Sequence, residues 1–202
     1  MVDNMYKNEI EGRTLNEYEL HNIICSERII YIGKDTNSFL LSLFPSRRYL
    51  IWRCLSSFRK MQFYHKQKND FNLPWLKRLY SKILFYFHNR AYLKFSERCG
   101  VELDVNSQIG KNCDIWHGSI VINGNLGNDC VLHGQNTIGN KGIGRPNEKP
   151  IIGNGVDIGV GAVIIGNIRI ADDVKIGANA AVVKSVDAVG TTVVGIPAHP
   201  IR

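Results

Sequence analysis

Residues 151–195 read IIGNGVDIGVGAVIIGNIRIADDVKIGANAAVVKSVDAVGTTVVG, and within them one aliphatic position returns every sixth residue. A helix has a period of 3.6 residues and a strand a period of two, so neither explains a strict period of six. A solenoid does, with three short flat faces per coil and one aliphatic side chain of each face pointing into the shaft. We therefore predict inward side chains at Ile152, Ile158, Ile164, Ile170, Ile176, Val182, Ala188 and Val194.

The same six-residue step, with one irregularity, is found upstream of residue 140. The residues that follow it are Ile109, Ile115, Val121, Leu126, Leu132 and Ile138. Leu126 arrives one residue early, which predicts a one-residue deletion at a coil corner near residues 123–125. The next step, from Ile138 to Ile152, is 14 residues and fits no whole number of hexads. We therefore expect residues 140–150 to form a loop that leaves the solenoid.

The first half of the chain has helical rather than six-residue periodicity. We predict an N-terminal helical domain over residues 1–98 and a solenoid domain over residues 99–202. Gly100 is expected to stop the last helix because glycine readily adopts the left-handed conformation that ends helices. The predicted helices span 16–30, begin again near Thr36 or Ser38, continue over 47–65 beyond a break at Pro45, and run over 74–99 after a loop at 69–74.

Charge is distributed unevenly between the two halves. Residues 1–98 hold 17 Lys and Arg against 9 Asp and Glu, whereas the whole chain has a net charge of +7. Since the cations are scattered along helical segments and form no recognition motif, we expect solvated helices and no nucleic-acid binding. A weak peripheral contact between these basic helices and an anionic membrane surface stays open as an alternative.

The cysteines and apolar runs point to a reducing compartment. Five cysteines, an odd number, form no CxxC pair, so we expect free thiols in the cytoplasm. Cys113 and Cys130 fall at small inward positions of the repeat and are predicted to be core residues rather than nucleophiles. No signal peptide and no membrane span is recognised.

Two histidines, His117 and His133, interrupt the aliphatic pattern. They are 16 residues apart, close to one coil of about 18 residues once the deletion is counted, which places them on neighbouring coils at similar angular positions. They could be a base and its companion, part of a metal site, or ordinary corner residues. A metal site would need a third ligand, and His65, His88 and His199 lie outside these coils, so no metal is expected.

Four segments carry a family resemblance: residues 115–123, 133–142, 150–162 and 194–198. With them the second half of the chain resembles the serine acetyltransferase branch of the hexapeptide-repeat acyltransferases, which includes O-acetyltransferases of bacterial surface-polysaccharide synthesis. The resemblance implies a left-handed parallel β-helix, although parallel crossovers are right-handed by default. It also implies acetyl-CoA as a substrate, bound in a groove between subunits of a homotrimer. The helical half resembles the family's N-terminal domain but is shorter, so trimer against hexamer stays open.

The resemblance assigns the catalytic pair. His117 matches the family's general base, because an acceptor hydroxyl is a poor nucleophile until a neutral imidazole takes its proton. The family sets an acidic residue 15 positions earlier to orient this imidazole, and Glu102 occupies that position. Asp104 lies nearby and is the rival carboxylate. Such a carboxylate fixes the imidazole tautomer and stabilises the imidazolium.

The acceptor positions depart from the family pattern. Serine acetyltransferases place an Asp just before the base and an Arg-His pair before the Pro of the next coil; here these positions are Trp116 and Glu148-Lys149. Losing the Asp removes a partner for the ammonium group of serine, and an indole suits the apolar face of a sugar ring. We therefore expect the acceptor to be a sugar hydroxyl on a precursor of a bacterial surface polysaccharide, with His133 also near it. L-Serine is the alternative acceptor, and packing at a corner or trimer interface is the alternative role of Trp116.

For the cofactor, the resemblance implies a pantetheine arm that runs along the backbone of successive coils. The matching positions, together with two lysines suited to the phosphates, are Asn140, Val160, Ala162, Lys175 and Lys184. Solvated lysines on a β-helix face are the alternative. A rival from another class is a β-helix that scaffolds partners through its basic helices without catalysis.

Overall fold

The computed structural model of the chain describes residues 15–34, 38–43, 45–142 and 148–201. Asn16 starts the first helix in a capping box, since its side chain accepts from the Glu19 N–H and the Glu19 carboxylate accepts from the Asn16 N–H. Gly100 ends the last helix with φ of 70°, as its position in the sequence predicts. The helices are α1 (Glu17–Ile32), α2 (Ser38–Leu43), α3 (Arg47–Asn69) and α4 (Trp75–Cys99).

Part of the predicted helical domain lies outside the described residues: 1–14, 35–37, with the candidate start at Thr36, and residue 44. None of the helices in the described part of the chain is long and apolar enough to cross a membrane. The five cysteines are free thiols, and Cys113 and Cys130 are buried in the core as predicted.

Short strands follow the helices and stack as three sheets, which form the faces of a left-handed parallel β-helix and confirm the predicted fold class. The strands are β1 (Val101–Leu103), β2 (Asp114–Ile115), β3 (Ile120–Ile122), β4 (Asn125–Leu126), β5 (Val131–Leu132), β6 (Thr137–Gly139), β7 (Ile151–Ile152), β8 (Asp157–Ile158), β9 (Val163–Ile165), β10 (Arg169–Ile170), β11 (Lys175–Ile176), β12 (Ala181–Val182), β13 (Thr192–Val194) and β14 (His199–Pro200). Sheet A contains β1, β3, β6, β9 and β12; sheet B contains β4, β7 and β10; sheet C contains β2, β5, β8, β11, β13 and the antiparallel β14.

The six-residue period gives the inward side chains correctly from Ile152 to Val182, all of which are buried. Beyond Val182 the register changes. Val193 is buried and pairs with Ile176, while Val186 bridges to Ile170. The predicted inward positions of Ala188, which is exposed, and Val194, which is half-buried, are therefore wrong. In the last coil the inward positions are four residues apart from Val182 to Val186 and seven apart from Val186 to Val193. A constant step of six therefore misses both positions.

Upstream, the predicted inward position of Val121 is also wrong. Val121 is 42% exposed, and its neighbours Ile120 and Ile122 point into the shaft instead. Ile122 follows Ile115 by seven residues and precedes Leu126 by four. The predicted net loss of one residue is right, but it is the sum of one added residue before β3 and two missing residues after it.

Side chains from the helices close the N-terminal end of the β-helix, where the first coil would otherwise expose unpaired backbone groups. The Arg59 guanidinium donates to the carbonyl oxygens of Ile109 at 2.9 Å and Gly110 at 2.7 Å. The same guanidinium forms a forked ion pair with the carboxylate of Glu27, which is fully buried. This contact ties α1, α3 and the first coil together.

Two buried tyrosines continue this cap. The Tyr31 hydroxyl donates to the Cys113 carbonyl at 2.9 Å and accepts from the Ile115 N–H at 2.8 Å. The Tyr92 hydroxyl makes the same pair of bonds with the carbonyl and N–H of Leu103, at 2.9 and 2.7 Å. Burial raises the pKa of both tyrosines, so both stay neutral and hold the coil as hydrogen-bonding groups.

Candidate active site

The corner that joins β2 of sheet C to β3 of sheet A is one residue longer than its counterparts. Ile122 follows Ile115 by seven residues, whereas the paired inward positions of the next two coils are six apart, from Leu132 to Ile138 and from Ile158 to Ile164. Trp116 and His133 are at equivalent positions of their coils, since their backbone N–H groups donate to the equivalent carbonyl oxygens of Leu132 and Ile158. Gly118 and Gly134 are also equivalent, since their carbonyl oxygens accept from the backbone N–H groups of Gln135 and Gly161 in the next coil. The additional residue is therefore His117.

As the added residue, His117 stands on the outside of the corner and is exposed. It lies directly over Gly134, whose φ is 118°; a Cβ at that position would be 2.7 Å from the His117 Cβ. His133 lies under Trp116, with the two ring planes tilted by 52°, and not under His117. The two histidines share one corner on neighbouring coils, as predicted, but are one residue out of register, because this coil is 17 residues long and they are 16 apart.

A cluster of polar and aromatic side chains fixes the sheet C side of this corner. The Trp116 indole N–H donates to Asp114 Oδ2 at 3.0 Å, and Asp114 Oδ1 is paired with Arg48 at 3.0 Å. The indole and the His133 ring are 4.5 Å apart between centroids, and His133 Nε2 lies 2.8 Å from Asp157 Oδ1. Sequence reasoning missed Arg48, Asp114 and Asp157. Both aspartates precede an inward isoleucine, so their outward direction was readable, but their partners were not.

Glu102 lies on the sheet A side of the corner. It points outward from the middle of β1, in register with the exposed Val121 of β3, the strand that the His117 corner enters. In the described part of the single chain, no hydrogen bond links the side chains of Glu102 and His117. Glu102 lies in a groove between α4 and sheet A, which we call the A-face groove and which is lined by Tyr92, Leu93, Ser96, Glu97, Glu102, Leu103, Asp104, Val121, Ile122 and Asn123.

The far end of the A-face groove carries an ion pair. Lys149 Nζ lies 3.1 Å from Asp104 Oδ1, which also accepts from the Asn106 N–H at 2.9 Å. Because Asp104 is already paired, Glu102 is the freer of the two carboxylates. At the same edge the amide oxygen of Asn123 is buried and takes no hydrogen bond within the described residues, so it is an acceptor that sequence reasoning missed.

The predicted cofactor positions are spread over the surface. Val160 lies at the same corner as His117 but two coils further along the β-helix, at the position equivalent to Gly118, and is 42% exposed. Ala162 is fully buried with its methyl group in the shaft, so only its backbone could meet a ligand. Asn140 begins the loop after β6 and its side chain accepts from the Gly142 N–H.

The two lysines proposed for the phosphates are not brought together. Lys175 points outward from sheet C between Asp157 and Thr192, whereas Lys184 is exposed after the sheet A strand β12. The structure therefore gathers Trp116, His117, His133 and Val160 at one corner, sets Glu102 beside it, and places Asn140, Glu148, Lys149 and Lys184 along the opposite edge of sheet A. No group of three or more potential metal ligands occurs among the residues that the structure describes.

Comparisons of sequence and of structure with known proteins both find serine acetyltransferases. The serine acetyltransferase of Staphylococcus aureus strain Mu50 is 39% identical over 106 residues, which are 51% of this chain and 49% of the relative. The serine acetyltransferase of Neisseria gonorrhoeae in complex with serine is 26% identical, with a TM-score of 0.64, over 96% of this chain and 74% of that one. The chain resembles the serine acetyltransferase branch of the hexapeptide-repeat acyltransferases.

The likeness to serine acetyltransferases covers the helices as well as the β-helix. The structure of the Brucella abortus serine acetyltransferase in complex with coenzyme A has the same fold, with a TM-score of 0.61 over 91% of this chain and 67% of that one, at 20% identity. No protein-family model matches the chain. The chain spans about half the length of the curated relatives it matches.

Proposed function

We propose that the chain is an O-acetyltransferase that moves the acetyl group of acetyl-CoA to an acceptor hydroxyl, with His117 as the general base. The observation that carries the proposal is the widened corner: one added residue places an exposed imidazole beside an outward carboxylate, in a chain that resembles serine acetyltransferases. Buried free thiols fit a reducing compartment, so the cytoplasm is the proposed setting.

In the proposed reaction, neutral His117 takes the hydroxyl proton while the acceptor oxygen attacks the thioester carbonyl carbon. The tetrahedral intermediate collapses with cleavage of the carbon–sulfur bond, and the imidazolium returns the proton to the departing thiolate. Glu102 is the proposed orienting carboxylate, because Asp104 is held by Lys149. Its role is to accept from one ring N–H, fix the tautomer and stabilise the imidazolium.

We propose a homotrimer whose subunits form the acetyl-CoA groove between them. Two observations support it: His117 is exposed on the single chain, and the apolar side chains of Trp116, Val121 and Val160 near it are 42–45% exposed. A second copy would cover this apolar surface and enclose the thioester. Three chains of 22.8 kDa would sediment as a particle of about 68 kDa, whereas a monomer would contradict the inter-subunit groove.

L-Serine is the acceptor that the comparisons favour. The relatives reported above are named serine acetyltransferases, and the Neisseria gonorrhoeae structure holds serine. Nothing in these comparisons supports the sugar acceptor that the sequence led us to expect.

A sugar hydroxyl stays as the second candidate because of the charges around the corner. Asp114, the carboxylate nearest Trp116, is already bound by Arg48 and the indole N–H, so it is not free to hold an ammonium group. Lys149 is paired with Asp104 and thus is not free to hold a carboxylate. An immobilised, half-exposed indole beside the His133–Asp157 pair offers an apolar plane with polar groups at its edge, which suits a sugar ring.

The experiment that separates these acceptors measures coenzyme A release from acetyl-CoA with L-serine and with a panel of nucleotide sugars and oligosaccharides. Turnover of L-serine at about 1 s⁻¹ or faster establishes serine and contradicts the sugar candidate. Turnover of a saccharide with only trace activity on serine does the reverse. Failure of every acceptor with a folded, acetyl-CoA-binding protein contradicts the proposed O-acetyl transfer.

A further inference from the structure

The outer face of α4 is strongly apolar and faces solvent. Eight large apolar side chains on this one helix are each between 48% and 68% exposed: Trp75, Leu76, Leu79, Tyr80, Ile83, Tyr86, Phe87 and Leu93. At about 100° per residue they fall within an arc of about 140°, so they form one stripe. A soluble protein surface rarely leaves a continuous stripe of this kind without a partner. We call it the α4 stripe.

The charges around the α4 stripe have one sign. Lys77 and Lys82 flank its two edges, and Arg90 and Lys94 follow it toward the C-terminal end of the helix, all four being exposed. Over residues 75–96 there is no Asp or Glu, and over 47–96 there are 12 Lys and Arg against one acidic residue, Asp70. The stripe is thus an aromatic and aliphatic surface inside a cationic frame.

We infer that the α4 stripe docks the protein onto the surface of an anionic lipid bilayer, with the helix axis in the membrane plane. Tyr and Trp, which have an apolar body and a polar tip, suit the level of the lipid headgroups. Flanking lysines extend their stems along the apolar surface while their ammonium groups meet lipid phosphates. Since no described helix can span a membrane, the contact would be peripheral.

Charge favours the bilayer over packing of α4 on the α4 of a second copy. If α4 of one copy packed on α4 of another, the cations that frame each stripe would face one another, and no carboxylate in residues 75–96 could balance them. An anionic bilayer instead supplies both an apolar layer for the stripe and negative charge for its frame.

The test is co-sedimentation of the full chain with vesicles of phosphatidylcholine alone and of phosphatidylcholine with one third phosphatidylglycerol. We expect binding to the anionic vesicles at least about tenfold tighter than to the neutral ones, and weaker binding at about 0.5 M salt. Ile83→Asp, at the centre of the stripe, should reduce the partition coefficient at least about tenfold. Val189→Asp places the same charge at an exposed valine of the β-helix, 67% exposed against 50% for Ile83, and should leave the partition coefficient unchanged.

Other outcomes overturn the inference. Equal binding to both vesicles, or Ile83→Asp binding like Val189→Asp, removes the role of the stripe. A third outcome assigns the stripe to a second copy of the chain instead. In that case the unmodified chain does not bind vesicles, and Ile83→Asp sediments as a smaller particle than the unmodified chain because a contact between subunits is lost. Far-UV circular dichroism of both variants establishes that they are folded.

Discussion

Replacing Arg59 by Leu should destabilise the protein more than any change of an exposed cation. The guanidinium, 7% exposed, holds the fully buried Glu27 carboxylate and two backbone carbonyl oxygens of the first coil. Removing one partner of a buried ion pair costs about 3–5 kcal/mol, because the remaining charge has no water and no partner. The Ile109 carbonyl oxygen would lose its Arg59 donor, and the Gly110 carbonyl oxygen would keep only the weak Cys113 thiol donor, which adds to that cost. We expect a loss of about 4 kcal/mol in the free energy of unfolding.

The assay is thermal unfolding followed by circular dichroism at one protein concentration, so that any assembly contributes equally. For a chain of this length about 4 kcal/mol corresponds to a fall in Tm of about 8–16 °C. The double variant Glu27→Leu/Arg59→Leu should recover part of the loss, since no buried charge is left. Arg53→Leu, a half-buried cation on the same helix that contacts aromatic rings, is the control and should cost about 1 kcal/mol. A loss below about 1 kcal/mol in Arg59→Leu, or a double variant less stable than the single one, would refute the capping role.

Two further predictions concern the His117 corner and the helices. Gly134→Ala should lower kcat/KM at least about tenfold, because Gly134 has a φ of 118° and the new Cβ would displace His117. The control is Gly190→Ala, also at positive φ but with open space around it, which should keep the activity; equal losses in the two variants would contradict this reasoning. Burial, with a smaller effect of neighbouring Lys68 and Lys60, lowers the pKa of His65 and His88 below the ordinary 6.5. The unfolded state therefore binds more protons than the folded one, so Tm should be highest above pH 6.5 and fall as pH drops through it. A His65→Gln/His88→Gln variant with an unchanged Tm–pH slope would show that other groups cause the fall.

The six-residue period predicted the β-helix because it reports directly which side chains enter the shaft. It failed at β3, where Ile120, Val121 and Ile122 are all aliphatic and either alternation fits the sequence. One residue added before this strand and two lost after it cancel in part, so a count of spacings detects only the net deletion. For that reason the sequence pointed to His117 but not to its being the added residue of a widened corner.

The sequence predicted His117, His133, Glu102 and Trp116, which lie on the coils, but it did not show which side chains pair with one another across the fold. Arg48 reaches Asp114 across 66 residues, and Lys149 reaches Asp104 across 45, and no local pattern encodes either pair. The exposed α4 stripe was missed for a related reason. An apolar helical period looks the same whether its face packs on a core or meets solvent.

The most direct test of the central claim is the rate of coenzyme A release by His117→Asn with the acceptor that the unmodified protein uses. Asparagine keeps a polar side chain of similar reach but cannot accept the hydroxyl proton. We predict that kcat falls about 10²–10⁴-fold while the KM for acetyl-CoA changes less than about threefold. The control is His133→Asn, which should lower kcat less. A His117→Asn protein that keeps kcat within about threefold of the unmodified one would contradict the assignment of His117 as the base.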